Sequence, residues 1–276
     1  MKHLIIILLL ASSCFALIPG TNPKWALDVS AGNIEGVSAV NKFGRSIDVD
    51  AHATDIWDGA IAGDGGDLWV APTQARTHAI SSTSASDDGD PVGVGARTLK
   101  IYGLTSWDTK EVSETITLNG TGSVNTVNSY VIIHRMEVVT SGATNINVGA
   151  ITATAATDGT STAIIRAGEG QTQMAIYGIP STVTAYMPCY YVSVVKRAAA
   201  LATEITLLVN TTPDTELINF LTKHTIGLET EGTSYIKHCF FPFFKITGPA
   251  IIKIKAESST GGTDVSGGFD LILVDN

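Results

Sequence analysis

Apolar and polar residues alternate along much of this chain, so that every second residue is apolar. In residues 97–103, Leu99 and Ile101 alternate with threonine, lysine and tyrosine, a pattern typical of a strand that is buried on one face. Residues 112–118 alternate in the same way, and the polar residues between the two segments predict an antiparallel hairpin.

Similar short runs continue to the end of the chain and predict further strands. They lie at residues 129–139, 145–156, 162–166, 174–177, 183–195, 204–210, 234–241, 244–246, 250–256 and 269–274. In the run at 250–256, Lys253 and Lys255 alternate with apolar residues, which predicts one apolar face and one lysine face. Residues 25–50 predict an extended arm or a first strand, and residues 214–223 have a weakly helical pattern.

The number and spacing of these runs indicate the fold class. About seven short strands in each half of a chain are typical of sandwiches. We therefore predict an all-β fold with two β-sandwich or jelly-roll-like domains, over residues 25–157 and 158–276. The boundary falls in the turn AATDGTS at residues 155–161, because this segment lacks apolar anchors and contains an Asp-Gly pair.

The first 16 residues are of a different kind. Lys2 and His3 precede an apolar run and then small residues up to Ala16, which is typical of a signal peptide. The apolar run is too short for an ordinary transmembrane helix. We expect cleavage after Ala16, with residues 17–24 as a linker. In an alternative interpretation Cys14 is the lipidated residue of a lipobox, and a lipid anchor there is the one membrane attachment we consider.

Composition narrows the class of protein further. Of the 276 residues, 16% are charged and 44% are hydrophobic, so the chain is predicted to be ordered. The formal net charge is −9, and lysine and arginine form no long run. Because phosphate backbones repel a protein of that sign, we expect no nucleic-acid partner.

No catalytic or cofactor motif is present in the sequence. GxSxG, HExxH, Walker-type and GxGxxG patterns are all absent, so we predict no enzyme, no catalytic residue and no cofactor. Cys189 and Cys239 have no zinc-type spacing to each other or to histidines. We favour free thiols for both in a reducing cytoplasm, whereas export would permit a disulfide between them.

Two acidic loops and one histidine are candidate binding sites. Asp87, Asp88 and Asp90 share one loop, and Asp64 and Asp67 share another, but neither spacing matches a defined calcium loop. We interpret these carboxylates as solvated turn residues, and we predict no metal site. His134 lies in the strand run at 129–139 and is interpreted as an ordinary strand residue.

The most concentrated aromatic segment lies in the C-terminal half. It contains Tyr235, Phe240, Phe241, Phe243 and Phe244, interrupted by Pro242. Most of these rings are expected in the core. Because aromatic residues are enriched and lysines depleted at interface centres, we predict that Phe241 or Phe243 contacts a neighbouring subunit.

Several segments, in order, resemble one family. GARTLKIYGL followed by EVSETITLNG resembles a signature of virion structural proteins of tailed phages, especially marine phages. VNKFGRSIDVD, TDIWDG, GQTQMAIYGIP, TKHTIGL, FKITGPAIIKIKA and DVSGGFDLILVDN resemble further parts of the same proteins. Together these segments extend over most of the chain from about residue 25 onward.

The resemblance implies a non-enzymatic virion component of capsid-associated, decoration or fibre type. Its expected partners are copies of itself or other virion proteins, and its expected location is the virion. The export-like segment is a departure from this family and supports an alternative, an exported surface or periplasmic binding protein. In that alternative the loops of the sandwich bind a surface glycan.

Overall fold

A computed structural model describes residues 23–59, 68–196, 201–230, 233–259 and 261–276. The described chain is all-β, as predicted, with one short helix. The elements are α1 (Pro23–Ser30), β1 (Val37–Val49), β2 (Thr54–Asp55), β3 (His78–Ser82), β4 (Ala96–Leu104), β5 (Val112–Thr117), β6 (Val124–Asn125), β7 (Ile132–Ser141), β8 (Ile151–Ala155), β9 (Ser161–Ile165), β10 (Ile176–Ile179), β11 (Val183–Lys196), β12 (Leu201–Asn210), β13 (Leu221–Thr230), β14 (Thr233–Thr247), β15 (Ala250–Ser258) and β16 (Thr263–Asp275).

Some predictions fall on residues that the structure does not describe. The signal-like segment 1–16 with Cys14, most of the linker, and the loop that holds Asp64 and Asp67 lie outside the described residues. Within the described ranges, no helix has both the length and the apolar character needed to cross a membrane.

The strands form four antiparallel sheets. The first sheet has the order β1-β16-β11-β14, and the second has the order β10-β15-β12-β13 with β2 added at β15. The third sheet is β6-β3-β8-β9 and the fourth is β5-β4-β7. The predicted hairpin is confirmed as β4 and β5, with Leu99 opposite Ile116.

Two hydrophobic cores hold these sheets together. The first and second sheets share one core, which includes Tyr190, Phe269 and Ile254. The second core gathers the third and fourth sheets around Leu99 and Tyr130. β1 pairs with β16, so residues 37–49 share a sheet with the C-terminal segment across the predicted boundary. The division into two domains at residue 157 stays a prediction.

Two predicted elements are wrong. Residues 23–30 form helix α1 rather than linker and extended chain, because Pro23 suits the first helical turn and Lys24 pairs with Asp28 one turn later, at 2.7 Å. Residues 214–223 form no helix. The buried Asn210 accepts a hydrogen bond from the Thr212 amide at 2.8 Å and donates to the Glu216 carbonyl at 2.6 Å, which fixes a turn before β13.

The expectation of free thiols is also corrected. Cys189 and Cys239 form a disulfide between β11 and β14, and their Cα atoms are 4.0 Å apart. They are opposite each other in the strand register, which places both side chains on the same face of the sheet. Fifty residues separate them in sequence, so only the pairing of the two strands brings them together.

Candidate functional site

β13 and β14 lie at one open side of the first core. β13 ends the second sheet and β14 ends the first, and each pairs with one described strand. One side of each backbone is therefore left without a described neighbour. We call these two strands the β13–β14 edge. Exposed edges of this kind are places where other chains can attach.

Half-buried side chains fill the inner side of the β13–β14 edge. Ile226, Leu228, Ile236 and Phe240 pack against the first core without being fully covered by it. Beside them the rings of His224 and His238 stack with centroids 4.1 Å apart.

His224 is held by a hydrogen bond, and desolvation acts on His238. The Tyr190 hydroxyl lies 2.6 Å from Nδ1 of His224, which ties the pair to the core. Desolvation and the neighbouring His224 ring lower the pKa of His238, so the His238 ring is neutral at neutral pH.

The outer side of β14 carries the predicted contact residues. Phe241 is 79% exposed, and Tyr235, on the same face, is 63% exposed. Phe243 is half-buried and lines a cavity of about 530 Å³, together with Trp25 and Val29 of helix α1. Phe241 therefore projects into solvent, whereas Phe243 faces the helix. The contact with a neighbouring subunit stays a prediction for both residues.

A second cluster, which sequence reasoning missed, lies where the two cores meet. The buried Lys42 of β1 donates a hydrogen bond to the His134 carbonyl of β7. Nε2 of His134 lies 2.5 Å from a carboxylate oxygen of Glu111, and the His134 ring stacks on Tyr177 of β10 with centroids 4.5 Å apart. His134 was interpreted alone as a strand residue; its partners lie in three other segments.

Burial sets the protonation states in this cluster. Desolvation lowers the pKa of His134, so the ring is neutral and donates Nε2–H to Glu111. Burial raises the pKa of Glu111, but the hydrogen bond from His134 and the charge of Lys42 outweigh that effect and hold the pKa below its usual range. Burial lowers the pKa of Lys42 to about 7, against an ordinary value of 10.5.

No protein-family model matches the chain, and no curated protein matches it. A structure of the infectious bursal disease virus Gt strain is similar with a TM-score of 0.26 and 9% identity, over 87% of this chain and 73% of that chain. A structure of the T13 particle of the same virus gives a TM-score of 0.26 and 10% identity, over 87% and 68%.

Similarity at this level is weak and carries no functional argument here. Both structures come from virus particles, but neither comes from a tailed phage. The resemblance to tailed-phage proteins therefore stays a prediction.

The acidic loop at residues 87–90 is held to neighbouring segments by hydrogen bonds of Asp87. Both carboxylate oxygens of the buried Asp87 accept two hydrogen bonds each, at 2.6 to 2.9 Å, from Ser82, Ala96, Val148 and Gly149. Asp88 accepts one from the Asp90 amide at 3.0 Å. Among the described residues, no group of three or more histidine, cysteine or acidic side chains is placed to hold a metal ion.

The lowered pKa of Lys42 predicts a pH dependence of stability. Between pH 7 and 10.5 the unfolded chain keeps the Lys42 proton while the folded chain releases it, so stability rises with pH in this window. Below pH 7 both states are protonated and this contribution is constant. From pH 7 to 9 we expect a gain of roughly 2 kcal/mol, measured by urea unfolding.

The Lys42→Met variant is the control for this dependence, because it removes the titrating amine and keeps the length of the side chain. From pH 7 to 9 we expect the free energy of unfolding of this variant to be nearly constant, whereas that of the unaltered protein rises. Parallel slopes for the two proteins would show that Lys42 is not the source of the effect.

Proposed function

We propose that this protein is a non-enzymatic structural subunit of a virus particle, of capsid-associated, decoration or fibre type, which assembles through the outer side of β14. One observation carries the proposal: Tyr235 and Phe241 stand exposed on the same face of an edge strand. Large aromatic side chains left in water are typical of protein contact sites. The sequence resemblance to tailed-phage virion proteins supports the same class of function.

The contact is made by side chains rather than by adding a strand to the sheet. Lys237 and Lys245 lie exposed on β14, and charged edge residues discourage strand pairing. Pro242 has no amide hydrogen and interrupts the edge beside Phe241. These features protect the backbone while the aromatic rings stay available. The partner is a second copy of this chain.

The same proposal includes the finer fold and the location. The first and second sheets face each other across a shared core, which supports a β-sandwich or jelly-roll-like arrangement. The disulfide between Cys189 and Cys239 suits a protein that works in an oxidising environment, such as a virion outside the cell.

The test is the effect of removing the exposed ring on self-association. We expect Phe241→Ser to weaken the oligomer roughly 30-fold, because a central aromatic contact contributes about 2 kcal/mol. Light scattering over a concentration series should show the variant at a smaller mass than the unaltered protein. Circular dichroism should be unchanged, since Phe241 is largely outside the core.

Val127→Ser is the matched control, because Val127 is 88% exposed. It lies just after β6 of the third sheet, whereas Phe241 lies on β14 of the first sheet. This control should leave the mass unchanged. An unaltered protein that stays monomeric at high concentration would overturn the proposal. So would a Phe241→Ser protein that associates as strongly as the Val127→Ser control.

A further inference from the structure

A cavity of about 430 Å³ opens beside the cluster of Lys42, Glu111, His134 and Tyr177, at the opposite edge of the first sheet from β14. Its volume lies within the range of small-molecule sites. β1, β10, β11 and β16 all contribute to its walls.

The Tyr177 side chain lines this cavity and brings a hydroxyl group to it. Tyr177 is only 4% exposed and its ring is held by stacking on His134. Within the described part of the chain, its hydroxyl makes no hydrogen bond. Burial raises the pKa of Tyr177, so the hydroxyl keeps its proton. This hydroxyl is not among the buried polar atoms without a partner, and it can donate a hydrogen bond to a ligand in the cavity.

The charges around the cavity are balanced. Glu111 is held by His134 and lies near Lys42, and Lys110 forms an ion pair with Asp275 at 2.6 Å. A cavity with paired charges favours neither an anion nor a cation. Its carboxylates can accept hydrogen bonds from hydroxyl groups, while Lys110 and Tyr177 can donate to them.

The remaining walls are apolar. Val37, Pro180, Val183 and Leu273 offer aliphatic surface next to these polar groups. Sugars combine the same two properties, because hydroxyl groups surround the ring and its C–H faces are apolar. We propose that this cavity binds a neutral saccharide of one or two sugar units. Most of its apolar wall lies on β1, β11 and β16, and this part of the site is therefore preformed.

The experiment is a binding measurement on the full chain. The probes are glucose, galactose, mannose, N-acetylglucosamine, maltose, lactose and cellobiose, with saturation-transfer NMR as the first readout and calorimetry for the affinity. We expect at least one neutral sugar to bind, and Tyr177→Phe to weaken it roughly tenfold, as expected for the loss of one hydrogen bond. Ser38→Trp, at an exposed lining position, should abolish binding by filling the cavity.

Tyr235→Phe is the matched control, since it removes a tyrosine hydroxyl on the far edge of the same sheet. It should bind as the unaltered protein does. Phe241→Ser should also bind normally, so a failure of assembly and a failure of sugar binding are distinguishable. Absence of transfer to every neutral sugar would overturn the proposal, as would stronger binding of glucuronic acid or glucosamine than of any neutral sugar.

Discussion

Asp87→Ala is expected to lower the free energy of unfolding by roughly 4 kcal/mol or more. The buried carboxylate accepts hydrogen bonds from three backbone amides and from the Ser82 hydroxyl. Those amides belong to the start of β4 and to the loop before β8, so one side chain joins three segments of the chain. Alanine would leave the four donors without their acceptor in a site that admits little water.

Urea unfolding of three variants would measure this effect. Asp87→Asn should also lower the free energy of unfolding, by no more than Asp87→Ala does, because its amide nitrogen would face some of the same donors. Asp88→Ala is the control next to it, since Asp88 accepts only one local hydrogen bond, and its loss should be about 1 kcal/mol or less. A loss of the same size for Asp87→Ala and Asp88→Ala would show that Asp87 does not hold this loop together.

Lys253→Met is expected to have an effect of similar size, about 3 to 5 kcal/mol. The Lys253 ammonium lies 2.6 Å from the Asp55 carboxylate and 4.1 Å from the centre of the Phe220 ring, and both charged side chains are buried. The second stabilising contact of Asp55 is the Trp69 amide at 2.7 Å. Methionine would fill much of the space but would leave a buried carboxylate without its counter-charge.

The double variant separates the cost of the unpaired charge from the cost of lost packing. Asp55→Asn keeps an oxygen for the Trp69 amide and removes the charge. Asp55→Asn with Lys253→Met should therefore be more stable than Lys253→Met alone, with a coupling of roughly 2 kcal/mol in a double-mutant cycle. Lys245→Met is the control, because Lys245 is exposed on β14 and lies away from Asp55 in the sheet order. Additive effects in the cycle would contradict a stabilising pair.

The sequence predicted a lysine face on β15, and the structure shows that Lys253 on this face is buried. Alternation showed correctly that Lys253 and Lys255 share a face opposite to Ile252 and Ile254, and Ile251 lies on the lysine face. It did not show that Asp55 of β2 pairs with Lys253, or that the Phe220 ring packs against the Lys253 ammonium. Whether a polar face meets water depends on which other segments pack over it, and neighbouring residues in the sequence carry no signal of that.

Of the two candidate sites, one could be recognised in the sequence and the other only in the structure. The aromatic segment that contains Phe241 and Phe243 was visible as a cluster, because its residues are adjacent in sequence. The structure distinguishes the two rings, since Phe241 is exposed while Phe243 faces helix α1. Lys42, Glu111, His134 and Tyr177 were not recognised as a cluster, because no motif or spacing joins four residues from distant segments.

The sequence by itself determined the all-β class, the β4–β5 hairpin and most strand positions, because alternation between two faces is a property of adjacent residues. Tertiary structure alone decided that β1 pairs with β16, that Cys189 meets Cys239, and that Lys253 and Lys42 are buried. Strand pairing and desolvation arise from contacts between residues far apart in the chain. A lysine has the same local pattern in water and in a core, and only the packing around it sets its charge and its partner.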